Sequence, residues 1–386
     1  MKILGRNRTV ISVVLVAIFL LSISAVHAGE IISRDPYVSA IVADASNGRI
    51  LYKENSEALV YPASVVKLMD LLIFVELIEK GVVKLTDKVS VTAEAAKIGG
   101  TQVWLEAGEE FTVDEMLYAL MIKSANDVAA ALAIHIAGTK DGFVKMMNKR
   151  AAELGMSYTE FNSVHGLPPS AGQKHDVTTA RDIAILACEA ARHPLVFRYS
   201  NTKVKNFREV EDVVVMRNHN RLLGKVEGCD GFKTGYIRVA GFSLASTVKR
   251  NDKRIVAVVM GSKFKETRDV KARELIETAF MKLALGEESA ANSEYLVNRK
   301  IAKAYVQPVV IATEQKESPG TEKKKKTKNK SEKKKEESGS DPEPLSKRGA
   351  ISKILAGLLL LVAGGVTTFF VFRRKHHEKS RDKYYW

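Results

Sequence analysis

Apolar positions change their rhythm several times along this chain, and each change marks an element. Residues 37–43 and 49–53 are β-prone runs separated by Ala45-Ser46-Asn47-Gly48, and Asn-Gly between such runs predicts a hairpin. Residues 68–78 are dense in Leu, Val, Ile and Phe. They are apolar on more sides than a surface helix needs, which predicts a buried central helix ending at Glu79-Lys80-Gly81. Between 85 and 138 the pattern is helical with polar connections. Thr112-Val113-Asp114-Glu115 predicts a helix start, residues 116–122 continue it, and an alanine-rich helix at 128–136 follows Lys123-Ser124-Ala125-Asn126-Asp127. Further helices are predicted at 141–154 and from Thr178 through Ala191, with a loop at 162–169 between them. From Thr202 the texture turns to strands, over 204–215, 231–236, 241–249 and 254–261, the last two flanking a turn at Arg250-Asn251-Asp252-Lys253. An amphipathic helix at 267–285 follows. Strands at both ends of a helical middle predict an α+β fold, an antiparallel sheet flanked by helices with a helical insertion.

Two apolar runs fall outside this pattern. Residues 10–23 follow Lys2, Arg6 and Arg8 and precede Val26-His27-Ala28, so residues 1–28 read as a signal peptide and the folded part as 29–285. Residues 354–372 carry no charge and are about nineteen long, enough to span a bilayer. Residues 349–373 are therefore expected to form a C-terminal transmembrane helix. Arg374, Lys375, Lys379, Arg381 and Lys383 then make 374–386 a basic cytoplasmic tail, with the folded part on the extracytoplasmic face. Residues 316–348 are mostly Lys, Glu, Ser, Gly and Pro, with little to bury, and read as a disordered charged linker. Residues 286–315 hold one short β-prone stretch.

The formal net charge of +15 shrinks on this division. The linker alone has twelve cations against seven anions, and with the two termini set aside the rest of the chain carries about +3. That balance gives no argument for a nucleic-acid partner. Cys188 and Cys229 make no disulfide framework, and neither has the spacing of a metal site.

Candidate chemistry starts at Pro62-Ala63-Ser64-Val65-Val66-Lys67, which opens the apolar helix. Ser64 and Lys67, three apart, share a face, so the amine can reach the hydroxyl. A serine needs a base to become a nucleophile, and lysine is one only where burial or nearby cations lower its pKa. A helix start also offers free N–H groups for an oxyanion. Taken alone, S-x-x-K is better read as a serine at a helix start followed by a solvent-facing lysine.

Ser64-Val65-Val66-Lys67, Ser124-Ala125-Asn126 and Lys233-Thr234-Gly235, in that order, fit the S-x-x-K, S-x-N, K-T-G set of penicillin-binding proteins and serine β-lactamases. Asn47-Gly48 with Leu51-Tyr52, His165-Gly166-Leu167, Thr179-Ala180-Arg181-Asp182 and Asp230 to Tyr236 with Ala240-Gly241 extend the match. From about Ser39 to Phe280 the chain resembles the D-alanyl-D-alanine carboxypeptidases, the low-molecular-mass penicillin-binding proteins with a β-lactamase/transpeptidase-like fold.

The resemblance implies that Ser64 attacks the bond between the two D-alanines of a peptidoglycan stem peptide, with Lys67 taking its proton. Ser124 would pass a proton to the leaving D-alanine, a role compatible with a helix N-cap. Asn126, Lys233, Thr234, Gly235 and Tyr236 would bind substrate, Lys233 also lowering the pKa of Lys67 and Gly235 letting a strand backbone approach the peptide. The N–H groups of Ser64 and Tyr236 would form the oxyanion hole. Arg268 would bind the terminal carboxylate; the rival reading is a surface helix charge. β-Lactams would be covalent inhibitors, and no cofactor or metal is implied. His165 is expected to structure its loop rather than act as a base. Two departures stand out: the second β-rich domain of this group shrinks to residues 286–315, and Asp70 puts an acid one turn beyond Lys67. The same residues would serve a D,D-endopeptidase; a serine β-lactamase or a non-catalytic peptidoglycan-binding scaffold are the remaining alternatives.

Overall fold

The computed structural model describes residues 33–208, 213–286 and 294–297. The expected signal peptide, linker, transmembrane helix and tail lie outside the described residues, as does most of 286–315. Among the described residues no helix is long and apolar enough to cross a membrane.

The hairpin is β1 (Ser39–Asp44) and β2 (Ile50–Glu54), its turn held by Asp44, whose carboxylate accepts from the Ser46 amide and hydroxyl. A 3₁₀ turn over Ala63–Val66 leads into α1 (Lys67–Glu79). The insertion then runs through β3 (Lys88–Ser90), α2 (Ala93–Ala96), β4 (Glu110–Thr112), α3 (Val113–Tyr118), α4 (Asn126–Ala137), α5 (Lys140–Leu154), α6 (Ala180–Ala190) and α7 (Pro194–Ser200). The start of α3 is a capping box in which Thr112 and Glu115 satisfy each other's amides, as the spacing predicts. A small hairpin, β5 (Val204–Phe207) with β6 (Val214–Arg217), precedes β7 (Cys229–Ile237), β8 (Gly241–Arg250), β9 (Lys253–Ser262) and α8 (Lys265–Ala284).

The two ends of the chain's folded part meet in one sheet. Its order is β2-β1-β9-β8-β7, antiparallel throughout, with Ser39 opposite Met260 and Asp44 opposite Ile255. Side chains alternate along β9: Val256, Val258 and Met260 pack with α1 in the large core, while Ile255, Ala257 and Val259 pack against Ala272, Ile276 and Ala279 of α8. A sheet buried on both faces needs near-continuous apolar strands, which is what 254–261 supplies. Every residue of α1 from Lys67 to Val75 is buried, so the helix is central, as its composition predicts.

Glu294–Val297 is the described part of the segment after α8. The Ile50 amide donates to Glu294 O at 2.8 Å and the Leu296 amide to Gly48 O at 2.9 Å, a single antiparallel bridge just ahead of β2. Arg181 clasps this segment, donating to the carbonyls of Tyr295 (2.7 Å) and Leu296 (3.1 Å).

Candidate active site

Two local distortions and one close approach bring the candidate side chains together. At the first, Ala63 adopts φ +48°, a left-handed geometry that costs a non-glycine residue about 1 kcal/mol or more. Ser64 therefore stands on a 3₁₀ turn ahead of α1 rather than on the α-helix itself. The strained residue is wedged: a Cβ built on Gly166 would lie 2.1 Å from Ala63 O, so only glycine fits opposite it. At the second, α3 widens into a π-turn over Ala119–Lys123 and ends on Ser124 at φ +63°. The N-cap position of α4 belongs to Ala125, so Ser124 does not cap the helix and its hydroxyl is free for another partner. The third is Gly235 on β7, the edge strand of the sheet. A Cβ there would lie 2.5 Å from Pro62 O. The glycine is required because the strand packs against the nucleophile turn.

Lys67 sits at the centre, fully buried. Its Nζ is 3.3 Å from Ser64 Oγ, 2.8 Å from Asn126 Oδ1 and 2.7 Å from His165 O. Asn126 is itself fixed, donating its amide to Thr101 O at 2.8 Å and Nδ2 to Gly99 O at 2.9 Å. Across the cleft Lys233, also buried, donates to Ser124 Oγ and to Thr234 O, both at 2.9 Å. Thr234 is buried beside it, and Tyr236 stands out of the strand with its ring stacked on Phe242 at 4.2 Å.

Burial lowers Lys67 to about 8, although Asp70, Asp176 and Asp127 pull the other way. The main cause is therefore desolvation rather than the second lysine. Lys233 is pushed well below the usual lysine range, by burial first and the charge of Lys67 second. Burial drives Asp70 in the opposite direction, well above the carboxylate range. Among the described residues neither of its oxygens has a hydrogen-bond partner.

His165 belongs to the scaffold. Its carbonyl receives Lys67, its Nδ1 accepts from the Leu167 amide at 3.2 Å, and burial holds its pKa near 3. The loop it sits on is pinned by Asp176, which takes the amides of Asn162 (2.7 Å) and Ser163 (2.8 Å).

Arg268 is not a surface charge: it is 2% exposed, bound to Asp269 Oδ1 and to Ser243 O. Ser243 pairs with Gly235, so the guanidinium lies behind the Lys233 strand.

Sequence reasoning missed Asp127, Asp176 and Arg208, which hold the walls of the cleft. Only Asp127 carried a signal, as the acid directly after Asn126. Cys188 and Cys229 are both free. The one constellation with metal-like spacing among the described residues, Glu76, Glu189 and His193, lies outside this cleft. Its carboxylates are bridged by Arg150 at 2.6 and 2.8 Å.

A nucleophile-bearing turn, a hydroxyl relay and a strand edge around one buried amine suit acyl transfer. Comparison with known proteins agrees. The D-alanyl-D-alanine carboxypeptidase family model matches residues 29–264. The D-alanyl-D-alanine carboxypeptidase DacF of Bacillus subtilis (strain 168) is 33% identical over 300 residues, 74% of this chain and 75% of its own length. Among solved structures, the D-alanyl-D-alanine carboxypeptidase DacD from Francisella tularensis aligns with TM-score 0.60 at 25% identity, over 65% of this chain and 73% of that one. Penicillin-binding protein D2 from Listeria monocytogenes in its ampicillin-bound form aligns with TM-score 0.57 at 27% identity, over 64% and 97%.

Proposed function

The chain belongs to the D-alanyl-D-alanine carboxypeptidase family and is a serine-type peptidase of that activity; on this premise we propose how its own residues carry the reaction. The observation that carries the reading is the set of three contacts around Lys67 Nζ. Two of them, Asn126 Oδ1 and the His165 carbonyl, can only accept. A neutral amine must point its two N–H groups at these acceptors, which leaves its lone pair facing Ser64 Oγ.

Ser64 Oγ then attacks the carbonyl carbon of the penultimate D-alanine while its proton passes to Lys67 Nζ. The oxyanion forms against the N–H groups of Ser64 and Tyr236. When the peptide bond breaks, the Ser124 hydroxyl gives its proton to the leaving nitrogen and is reprotonated from Lys67. D-Alanine departs, and water, losing a proton to Lys67, attacks the ester; Lys67 returns that proton to Ser64 Oγ as the acyl group leaves. Lys233 and Thr234 hold the terminal carboxylate, and Arg268 lends charge from behind the strand. A β-lactam presents a strained amide to the same oxygen and acylates it.

Incubation of the enzyme with pentapeptide and with cross-linked muropeptides tests this. Terminal D-alanine should be released from the first, and Ser64→Ala should release none and form no covalent penicillin adduct by mass spectrometry. An adduct retained in Ser64→Ala would remove Ser64 as the nucleophile. Cleavage of the cross-linked substrate in preference to the pentapeptide would make the enzyme an endopeptidase.

The reading includes export by residues 1–28, a tether over 316–348 and an anchor at 349–373, on the strength of the hydropathy and charge pattern. Truncation near Ser346 should release active enzyme from membranes; sedimentation of that form with washed membranes would require another anchor.

A further inference from the structure

Trp104 is held in a strained backbone conformation. Its φ is +56°, an outlier for a bulky aromatic residue, and its side chain is 61% exposed. Such strain persists only where the surroundings over-determine it, and it clusters at ligand sites. Here the surroundings do so from both sides. The buried Asp127 carboxylate accepts the amides of Val103 at 3.2 Å and Leu105 at 3.1 Å. Arg208 donates to the carbonyls of Val103 at 2.9 Å and Trp104 at 3.0 Å, and is itself locked onto Glu109 at 2.8 Å. The flanking Val103 and Leu105 are buried, so the clamp drives the indole outward.

The ring holds the cation of Lys123, the residue just before Ser124. Lys123 Nζ lies 5.6 Å from the indole centroid, a cation–π contact, and among the described residues no carboxylate pairs with it. Lys123 immediately precedes Ser124, whose hydroxyl meets Lys233. Asp127, which holds the Trp104 loop, directly follows Asn126, and Asn126 meets Lys67. An extended peptide advances about 3.3–3.6 Å per residue. The stem residue just before the D-alanine pair therefore stands one step from the attacked carbonyl, as Lys123 stands one step from Ser124.

We propose that Trp104 and Lys123 form a subsite for the side chain of the stem residue preceding the two D-alanines. The subsite selects a side chain that ends in a carboxylate as well as an amine over one that ends in an amine alone. The methylenes of that side chain lie along the indole and the carboxylate meets the Lys123 ammonium. An amine-only side chain brings like charge to Lys123 instead, and selectivity gains from that repulsion. The inference rests on the carboxypeptidase reading.

Two soluble pentapeptides test it with the full-length enzyme in detergent at pH 7, identical except for meso-diaminopimelate or L-lysine at the third position. Acylation by a fluorescent penicillin reports the folded fraction of every variant. The wild type should favour diaminopimelate by about tenfold in kcat/KM, the size of one well-placed charge contact. Lys123→Gln should bring the ratio to about one through KM, and Lys123→Arg should restore it. Trp104→Gly should lower the ratio while leaving the melting temperature equal to or above that of the wild type, because glycine relieves the strained φ. Equal efficiency of the wild type on both peptides, or an unchanged ratio in Lys123→Gln, would overturn the subsite. A melting temperature lowered by Trp104→Gly would make the ring a packing element instead. Failure of the wild type to release D-alanine from either peptide would overturn the carboxypeptidase reading itself.

Discussion

Asp70→Asn tests the charge state of the acid beneath Lys67. Both Asp70 oxygens are buried without a partner among the described residues, whereas the Lys67 amine has three. An unpaired buried carboxylate costs several kcal/mol of desolvation, so the carboxyl keeps its proton when the lysine loses its own. An ionised acid three residues along the helix, at about 6 Å, would contribute about 3 kcal/mol at an effective dielectric of about 20, raising the lysine by about 2 pH units. A neutral one contributes almost none of that. Asparagine is neutral and nearly the same shape. The value of about 8 for Lys67 includes the upward pull of a charged Asp70, so with the acid neutral the rising limb of acylation should lie below about 8 and should move by less than about half a unit in the variant. The assay is the acylation rate by a chromogenic β-lactam between about pH 5 and 10. Stability gives a second readout. Folded Asp70 holds a proton that the unfolded chain releases above about pH 3.9, so the wild type loses stability as pH rises from there. The loss runs at up to about 1.4 kcal/mol per unit until the carboxyl itself ionises. The variant escapes that loss. Its melting temperature should match the wild type near pH 4 and exceed it at pH 8. A limb that fell by about two units would show an ionised Asp70 and refute the burial argument.

Lys67→Arg keeps the charge but cannot shed a proton in this range, so acylation should fall at least about a hundredfold, and near wild-type labelling would rule out the lysine base. Gly235→Ala places a methyl 2.5 Å from Pro62 O. It should push β7 off the nucleophile turn and cost about a hundredfold in kcat/KM, since misplacement by about 1 Å has that effect; unchanged kinetics would mean the strand and turn are not rigidly packed.

What the sequence made legible is what local chemistry marks. Asn47-Gly48 announces its hairpin, Thr112 and Glu115 announce their cap, and the apolar density of 68–78 announces a helix with no solvent face, because each signal lies within a few residues. The three motif stretches were readable for the same reason. The way they are held was not. Asp127 reaches back to Val103 and Leu105, and Arg208 reaches Glu109 and Trp104 from a different hairpin. A single charge in a helix or loop gives no hint of such a distant partner. Positive φ at Ala63 and Ser124 was equally hidden, since alanine and serine advertise helix and cap rather than strain. The fate of Arg268 turned on burial, and an arginine in an amphipathic stretch reads the same whether its guanidinium is wet or dry.

The order of the sheet also dictates when the enzyme can exist. Its middle strand, β9, is the last of the five to be synthesised, and the hairpin at one side and the β7–β8 pair at the other are joined only through it. Ser64 and Lys67 travel with the early half and Lys233 with the late half. A nascent chain that ends before residue 262 therefore lacks the complete strand that joins the two halves of the sheet. Pairings as distant as Ser39 with Met260 are slow to form, and the unpaired strands need protection while they wait. Activity is therefore expected only after β9 has closed between the two halves.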